Sequence, residues 1–281
     1  MEKRCKLGVF LIAMSITFGP TCVLGFNSAA HLYIAEQVFP MSHPKNDLYY
    51  GSIAPDIVLY LAQANKWPTA FDDTHYNYID LKPYAWSLSL SQEAFADGWW
   101  THNEAWGADF YAHGVRPEYN GYVNLRAKTL SEQTGLNFEL MHFAIEVAID
   151  LLLKNDDPQL GEKLLKANQM HSGMDRYLLF RVFALEEMKT NWITLGLAEM
   201  TFRNFVDQYA EAFALPSPQD KEALAELGVE LAQELYETVV TKEELLGLLE
   251  SALNLCGDYR EIIDTAIDGI NLFILGKGPS S

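Results

Sequence analysis

The stretch GWWTHNEAWGADFYAH, residues 98–113, places three candidate metal ligands among five aromatic residues, and the rest of the chain is organised around it. On an ideal helix, steps of seven and eleven residues return to within about 20° of the starting direction, so His102, Asp109 and His113 would share one face. A rise of about 1.5 Å per residue would nevertheless put the two histidines roughly 16 Å apart, too far for one ion with ligand bonds of about 2 Å. The stretch therefore either serves more than one metal ion or contains a helix break near Gly107.

A second stretch, NFELMHFAIEVAIDLLLKN at residues 137–155, has apolar spacing typical of a helix and carries a line of polar residues. His142, Glu146 and Asp150 fall at positions i, i+4 and i+8, which puts them on one face. A histidine and a glutamate on adjacent helical turns can bind the same ion. If this helix is buried, each member of the line requires a polar partner.

Helical patterns extend through most of the remaining chain. Asn27-Ser28 can cap a helix that has His31 in its first turns, and Pro55-Asp56 fits the first turn of another helix. Further helices are predicted at residues 177–189, 192–213, 221–239, 242–255 and 259–275. Strand-like alternation is nowhere long enough to support a sheet. The sequence therefore predicts an all-α fold, a compact multi-helix bundle with additional C-terminal helices.

The chemistry is concentrated in the first half of the chain. Residues 26–155 hold the candidate ligands and are predicted to be the zinc-binding catalytic region, within which residues 65–92 and 116–135 are loop-like. Residues 156–281 contain almost no clustered histidine or aspartate. We predict that they form a C-terminal helical region that packs on or extends the same domain.

Residues 1–25 have the pattern of a secretory signal peptide. Three basic residues precede an apolar run, and small residues suitable for cleavage end at Gly25. We therefore predict an exported protein, extracellular or periplasmic, and the alternative is a protein anchored in a membrane through an uncleaved N-terminal segment. Cleavage would leave Cys256 as the single cysteine, so no internal disulfide would form.

The chain is strongly acidic. Its net charge is −18, and removal of the predicted signal peptide, which has three basic residues and one acidic residue, would make it −20. Such a charge disfavours binding to a long nucleic acid and attraction to anionic lipid. Any phosphate group that binds must therefore be attracted locally, most simply by cations held in the site.

Five of the seven histidines lie in helix-like or aromatic-rich segments, each near an acidic residue: His31, His75, His102, His113 and His142. One histidine on an apolar helix is more often a core residue than a ligand, but together with carboxylates, and without sulfur, the five form a ligand set that zinc prefers. The pairs His142–Glu146 and Asp109–His113 both have the spacing of adjacent helical turns. Of the other histidines, His43 is predicted to lie in a surface loop and His171 to be structural or solvated.

The ordered set of these elements resembles the zinc-dependent phospholipase C family, which includes secreted bacterial phospholipases C. It is also similar to the phospholipase domain of glycosylphosphatidylinositol-specific phospholipase D, and single-strand-specific zinc nucleases resemble the same fold more remotely. The matching elements, in the family's order, are HLYIAEQVF with His31, GSIAPDI with Asp56, DDTHY with His75, GWWTH and GADFYAH with His102, Asp109 and His113, and HFAIEVAID with His142 and Glu146. The resemblance implies a compact α-helical domain with a trinuclear zinc cleft, and the candidate ligands suffice for two or three Zn²⁺ ions.

The resemblance also implies how the ligands are grouped. One zinc ion would be surrounded by Asp56, His75, His102 and Asp109. Asp109 would bridge toward the ion that His31 binds. The other site would be held by His113, His142 and Glu146.

Two features depart from the family's pattern. The family commonly has three residues between the ligands that match His102 and Asp109, whereas six intervene here, so a bulge or helix break is needed around Trp106-Gly107. Secreted members also use the freed N-terminal residue as a ligand. Because that terminus lies further ahead of the first histidine than Phe26 lies ahead of His31, we do not assign Phe26 as a ligand.

The predicted function is zinc-dependent hydrolysis of a phosphodiester, with a phospholipase C that cleaves phospholipid headgroups as the first hypothesis. Metal ions would activate a water molecule and Asp56 would accept its proton. The alternatives are a zinc nuclease or phosphatase on the same scaffold and a non-catalytic metal-binding protein of the cell envelope. Peripheral membrane contact and the oligomeric state are left open. Five aromatic residues either belong to the core or line a place for a headgroup or acyl chain: Tyr60, Tyr84, Trp99, Trp100 and Trp106.

Overall fold

The computed structural model describes residues 27–62, 67–87, 89–114, 121–236 and 238–276. Every regular element in this part of the chain is helical, which confirms the predicted all-α fold. The predicted signal peptide and Phe26 lie outside the described residues. The first seven α-helices are α1 (Ser28–Val38), α2 (Lys45–Ile53), α3 (Leu59–Ala62), α4 (Leu90–His102), α5 (Ala108–His113), α6 (Tyr122–Thr134) and α7 (Phe138–Asp156).

Six further α-helices follow in the described part of the C-terminal half. They are α8 (Leu160–Met170), α9 (Gly173–Phe180), α10 (Trp192–Ala214), α11 (Gln219–Tyr236), α12 (Lys242–Leu255) and α13 (Tyr259–Ile274). The helices predicted to begin at residues 192, 242 and 259 begin there. None of the helices in the described ranges has both the length and the low polarity that crossing a bilayer requires.

Helix α7 is buried between α1, α6, α8, α11 and α12, so its polar residues face other helices rather than water. Asp150 shows how that burial is compensated. Its carboxylate accepts hydrogen bonds from the backbone N–H groups of Ala29 and Ala30, at 3.2 and 2.8 Å, and from the Tyr209 hydroxyl at 2.8 Å. Burial still raises the pKa of Asp150 to about 7. Because this carboxylate satisfies first-turn N–H groups of α1, it fixes the start of the helix that carries His31.

Helices α2 and α4 cross with their backbones in close contact, and a glycine on each helix makes this contact possible. A Cβ atom at Gly98 would lie 2.0 Å from the Leu48 carbonyl oxygen, and one at Gly51 would lie 2.1 Å from the Phe95 carbonyl oxygen. A real Cβ atom does not fit at either position, since both neighbours are backbone atoms. The crossing places the C-terminal end of α4 beside the 3₁₀ turn Ala54–Val58, which follows α2.

The C-terminal helices pack against the elements that carry the candidate ligands. Helix α12 packs on α7, and α13 packs on α1 and α5. The Phe273 ring of α13 stacks on Trp106 at a centroid distance of 4.3 Å. A Cβ atom at Gly269 would lie 1.7 Å from the Tyr111 hydroxyl, so α13 and α5 are in close contact. These helices therefore support the connection between α4 and α5 from outside.

The prediction that residues 116–135 are irregular is wrong for most of that range, because α6 spans Tyr122–Thr134. The buried residues Val123, Ala127 and Leu130 form a narrow apolar stripe at i, i+4 and i+7. Because the other positions of this helix are mostly polar, the helical pattern is difficult to recognise in the sequence. Residues 65–92 are also more ordered than predicted, since they contain the π-helical turn Asp72–Tyr76 and the 3₁₀ turn Lys82–Tyr84.

Replacing Gly98 by alanine is expected to lower the free energy of unfolding by about 1–3 kcal/mol, because the new methyl group forces α2 and α4 apart. Gly247→Ala is the matched control, since Gly247 is exposed in α12 and has no neighbour within 4 Å of an added Cβ. The free energy of unfolding of that variant should rise by about 0.5–1 kcal/mol, because alanine has a higher helix propensity than glycine. Urea denaturation followed by circular dichroism measures both changes, and equal stability of Gly98→Ala and the parent chain would contradict the packing described.

Candidate metal centre

The backbone turns between His102 and Asp109, at the place where the sequence requires a break. Helix α4 ends at His102 and helix α5 begins at Ala108. The side-chain oxygen of Asn103 accepts hydrogen bonds from three backbone N–H groups of the turn, those of Ala105, Trp106 and Gly107, at 3.0, 3.0 and 3.3 Å. The break folds the two halves of the stretch 98–113 back on each other. As a result, its three candidate ligands contribute to three different groups of polar atoms.

The first group contains four atoms that face one another: Oδ1 of Asp56, Nε2 of His75, Nε2 of His102 and Oδ2 of Asp109. Five of the six distances among them lie between 3.1 and 3.7 Å. The ligand atoms of a tetrahedral zinc ion, with bonds of about 2.0–2.1 Å, lie about 3.3–3.4 Å apart. The group therefore has the dimensions of a zinc site.

A second group shares Asp109 and His102 with the first. The other oxygen of Asp109, Oδ1, lies 3.1 Å from Nε2 of His31, and both side chains are fully buried. The rings of His31 and His102 stack with a centroid distance of 4.0 Å. One ligand atom from each of the three residues lies within 4.8 Å of the others. Asp109 thus presents one oxygen to each group, which is the arrangement of a bridging carboxylate.

The third group consists of His113, His142 and Glu146, whose ligand atoms also lie within 4.8 Å of one another. Nδ1 of His142 lies 3.2 Å from Oε1 of Glu146, as expected for residues on adjacent turns of α7. Asp109 and His113 have the same sequence spacing but face different groups. The reason is that the His113 ring points away from Asp109, toward α7 and toward a carboxylate that sequence reasoning missed, Glu104.

Hydrogen bonds fix which ring nitrogen of two histidines faces the first group. Nδ1 of His102 lies 2.7 Å from the Ser52 carbonyl oxygen and must donate to it. The Thr74 hydroxyl donates to the Ala70 carbonyl at 2.9 Å and therefore accepts from Nδ1 of His75 at 2.7 Å. In both neutral rings Nε2 then carries the lone pair, which is the state a metal ligand needs. No sequence pattern predicts these supporting groups.

No Lys or Arg of the described residues forms an ion pair with a candidate ligand, so the carboxylates of the site face histidines and one another. Burial acts to raise the pKa of Asp109, but His102 and His31 outweigh it and hold that pKa well below its usual range. Burial, together with the charges of Asp56 and Asp109, raises the pKa of Glu146 well above its ordinary value. Both pKa shifts arise because charged groups lie close together in a site that excludes solvent.

Several buried polar atoms of the candidate ligands have no hydrogen-bond partner among the described residues. They are Oδ1 of Asp56, both carboxylate oxygens of Asp109, Nε2 of His142 and Oε1 of Glu146. Burying such atoms without a partner costs several kcal/mol in total, with about 1–3 kcal/mol for each. Nitrogen and oxygen ligands without sulfur suit zinc, so the atoms present fit this metal.

The remaining histidines are outside all three groups. His43 is exposed, as predicted. His171 proves to be structural, because its Nδ1 lies 2.6 Å from the buried carboxylate of Asp175 and its ring stacks on Tyr50 at 3.7 Å.

The aromatic residues proposed for a substrate wall have structural contacts. Trp99 is buried in the core and its Nε1–H donates to the Ile79 carbonyl at 3.1 Å. Trp100 and Trp106 pack on Phe273, and the Tyr84 hydroxyl donates to Glu187 at 3.0 Å. The side chain of Tyr60 lies outside the described residues.

Two other aromatic residues lie beside the candidate centre. The Phe71 ring stacks on His75 at 4.0 Å. Tyr76, which follows His75 and contacts Phe71, is exposed. Among the described side chains, Phe71 and Tyr76 are therefore placed for an aromatic contact with a substrate near the first group.

Comparison with known protein families finds a match over much of the chain. A family model described as zinc dependent phospholipase C matches residues 29–197, more than half of the chain. All eight candidate ligands lie inside the matched range. No curated protein and no solved structure matches the chain.

Glu146→Gln is expected to remove about one zinc ion per chain, because the substitution replaces the anionic oxygen that the third group needs. His43→Gln, at an exposed histidine outside the groups, should retain the full metal content. Elemental analysis of the dialysed proteins, normalised to protein concentration, measures both. An unchanged zinc content in Glu146→Gln would exclude Glu146 from the ligand set.

Proposed function

Because this chain belongs to the zinc-dependent phospholipase C family, we propose that it hydrolyses phosphodiesters and that phospholipid headgroup esters are its substrates. The observation that carries this proposal is the convergence of eight candidate ligands, dispersed from residue 31 to residue 146, into three groups. Two of the groups share ligands, and the third is close enough for the charges of Asp56 and Asp109 to act on Glu146. A merely structural zinc site is closed by four protein ligands, usually including cysteine. The candidate centre instead offers adjoining groups that share His102 and Asp109, which suits a polynuclear catalytic site.

The proposal assigns two or three Zn²⁺ ions to these groups. One would be held by Asp56, His75, His102 and Asp109, one by His31 with Asp109, and one by His113, His142 and Glu146. When bound there, zinc supplies positive charge for the phosphate oxygens and lowers the pKa of water. That local charge accounts for phosphate binding by a chain with a net charge of −18.

Asp56 is the proposed general base. Its side chain is 14% exposed, whereas those of the other seven candidate ligands are at most 6% exposed, so Asp56 lies where the centre meets solvent. Burial acts to raise its pKa, but His102 and His75 outweigh it and hold the pKa below its usual range. The carboxylate is therefore ionised at neutral pH and can accept a proton.

The proposed reaction is an in-line displacement at phosphorus. Asp56 takes a proton from a water molecule, whose oxygen forms a bond to phosphorus. The bond between phosphorus and the glycerol oxygen breaks, and the proton ends on that oxygen. The products are diacylglycerol and the phosphorylated headgroup, and no other reactant is needed.

An exposed apolar stripe on α10 is the proposed contact with the phospholipid surface. Ile193, Leu197 and Met200, at i, i+4 and i+7, are 76, 55 and 54% exposed. The acidic residue on this part of the helix, Glu199, is buried and pairs with Arg176 at 2.6 Å, so the stripe itself exposes no carboxylate. An exposed apolar stripe without a carboxylate can enter the boundary between the headgroups and the acyl chains of a lipid surface.

The segment that precedes the stripe contacts the turn that carries His75. The segment that leads into α10 contains Lys189, whose ammonium group lies 3.2 Å from the Asp73 carboxylate. Asp73 belongs to the same π-helical turn as His75. A lipid surface on the stripe would therefore lie beside the turn that borders the first group. Export through the signal peptide pattern of residues 1–25 is part of the same proposal, since it would bring the protein to such surfaces.

Asp56→Asn is expected to lower kcat by about 10²–10⁴-fold, because the amide cannot take the proton of the attacking water. Release of phosphorylated headgroups from phospholipid, and of product from a chromogenic phosphodiester, measures the rate, with zinc content determined in parallel. Asp72→Asn is the control, since Asp72 is an exposed carboxylate in the turn beside His75.

The substrate panel also separates the alternatives. Chelator-sensitive hydrolysis of phosphomonoesters or nucleotides, without headgroup release, would replace the phospholipase proposal by a phosphatase or nuclease. A zinc-loaded chain that hydrolyses no member of the panel would favour a non-catalytic metal-binding protein.

Leu197→Glu is expected to lower hydrolysis of phosphatidylcholine vesicles on the order of tenfold, equivalent to about 1.4 kcal/mol of surface binding. Hydrolysis of a small water-soluble phosphodiester should not change. Leu125→Glu, at an exposed leucine on α6, is the matched control. Equal loss on both substrates, or no loss on vesicles, would remove the stripe from the proposal.

A further inference from the structure

Glu104 is a buried acidic residue in the connection between His102 and Asp109, the segment in which this chain is longer than the family's pattern. Its side chain is 1% exposed. None of the three groups of candidate ligands includes it, and no Lys or Arg of the described residues pairs with it. A buried carboxylate in such a position is costly, so its partners are informative.

Glu104 contacts two of the three groups. Its Oε1 accepts a short hydrogen bond from Nδ1 of His113, a member of the third group. Its backbone N–H donates to the carbonyl oxygen of His75, a member of the first group, at 2.9 Å. The second carboxylate oxygen, Oε2, is buried and has no hydrogen-bond partner among the described residues.

The contact with His113 determines how that ring can act. A carboxylate at Nδ1 favours the tautomer in which Nδ1 carries the proton, so Nε2 carries the lone pair. The rings of His113 and His142 lie 5.2 Å apart, and both contribute to the third group with Glu146. Glu104 thus sets the tautomer of a residue in this group without belonging to the group, as the Ser52 carbonyl does for His102.

We propose that Glu104 is a positioning residue, which holds His113 in the tautomer and orientation that the third group needs and ties that group to His75. The proposal rests on the zinc sites of the proposed function. It also gives a role to the additional residues between His102 and Asp109. They form the turn capped by Asn103, and this turn brings the carboxylate to a histidine nine positions further along the chain.

Glu104→Gln and Glu104→Ala test the proposal in the full-length protein. Zinc affinity, measured by chelator competition, is expected to fall by about 10–100-fold at one site, with Ala weaker than Gln because the Gln oxygen still accepts from Nδ1. The other sites should keep their affinity. Nitrogen-15 NMR of the histidines in the zinc-free protein gives a second readout. It should show protonated Nδ1 for His113 in the parent chain and a mixture of tautomers in Glu104→Ala.

Glu139→Gln is the matched control. Glu139 is a half-buried carboxylate on α7 whose charge acts on His113 from outside the three groups, so its removal separates a purely electrostatic effect from positioning. Unchanged affinity and an unchanged tautomer in both Glu104 variants would overturn the proposal, as would an equal loss in Glu139→Gln. If Glu104→Ala does not fold, the zinc affinity and the His113 tautomer of Glu104→Gln test the proposal.

The outcomes also separate this proposal from the proposed function. A parent chain that binds zinc and shows the Glu104 effects, but hydrolyses no phosphodiester, would refute the function and leave the role of Glu104 intact. A chain that hydrolyses phospholipid while both Glu104 variants keep full zinc affinity would refute the role of Glu104 alone.

Discussion

The structure depends on one constraint, the burial of histidines and carboxylates together without a Lys or Arg partner among the described residues. Each such group would be costly in isolation. Part of the cost is offset because Asp109 lies between His31 and His102, and because backbone carbonyls and hydroxyls bind the outer ring nitrogens. A divalent cation could satisfy the remaining unpartnered oxygens and nitrogens. Metal binding and the stability of the fold are therefore coupled in this account.

The bundle around the centre serves to hold this arrangement in place. Asp150 ties the start of α1 to α7, and thereby the His31 helix to the helix of His142 and Glu146. The glycine crossing of α2 and α4 brings the end of α4 to the turn that carries Asp56. Helix α13 supports the α4–α5 connection through Phe273. The C-terminal helices, which contribute no candidate ligand, thus contribute to the geometry of the centre.

Much of the fold could be predicted from the sequence, because helical periodicity and the i, i+4 spacing of His142 and Glu146 are local features. The break near Gly107 could also be located, since six residues separate His102 and Asp109 where the family's pattern has three. The form of the break could not be predicted. It depends on the Asn103 side chain and on contacts with α13, and the role of Glu104 exists only once that turn has formed. Helix α6 was missed because its apolar stripe is narrow.

The most direct test of the central claim, that three adjoining groups hold zinc, is a crystal structure with anomalous data collected on both sides of the zinc absorption edge. The account predicts at least two anomalous peaks, each within about 2.0–2.2 Å of the histidine nitrogens and carboxylate oxygens of its group. One peak would coincide with the tetrahedron of Asp56, His75, His102 and Asp109. A structure of the zinc-treated protein in which these side chains bond only to one another, with no peak between them, would contradict the account.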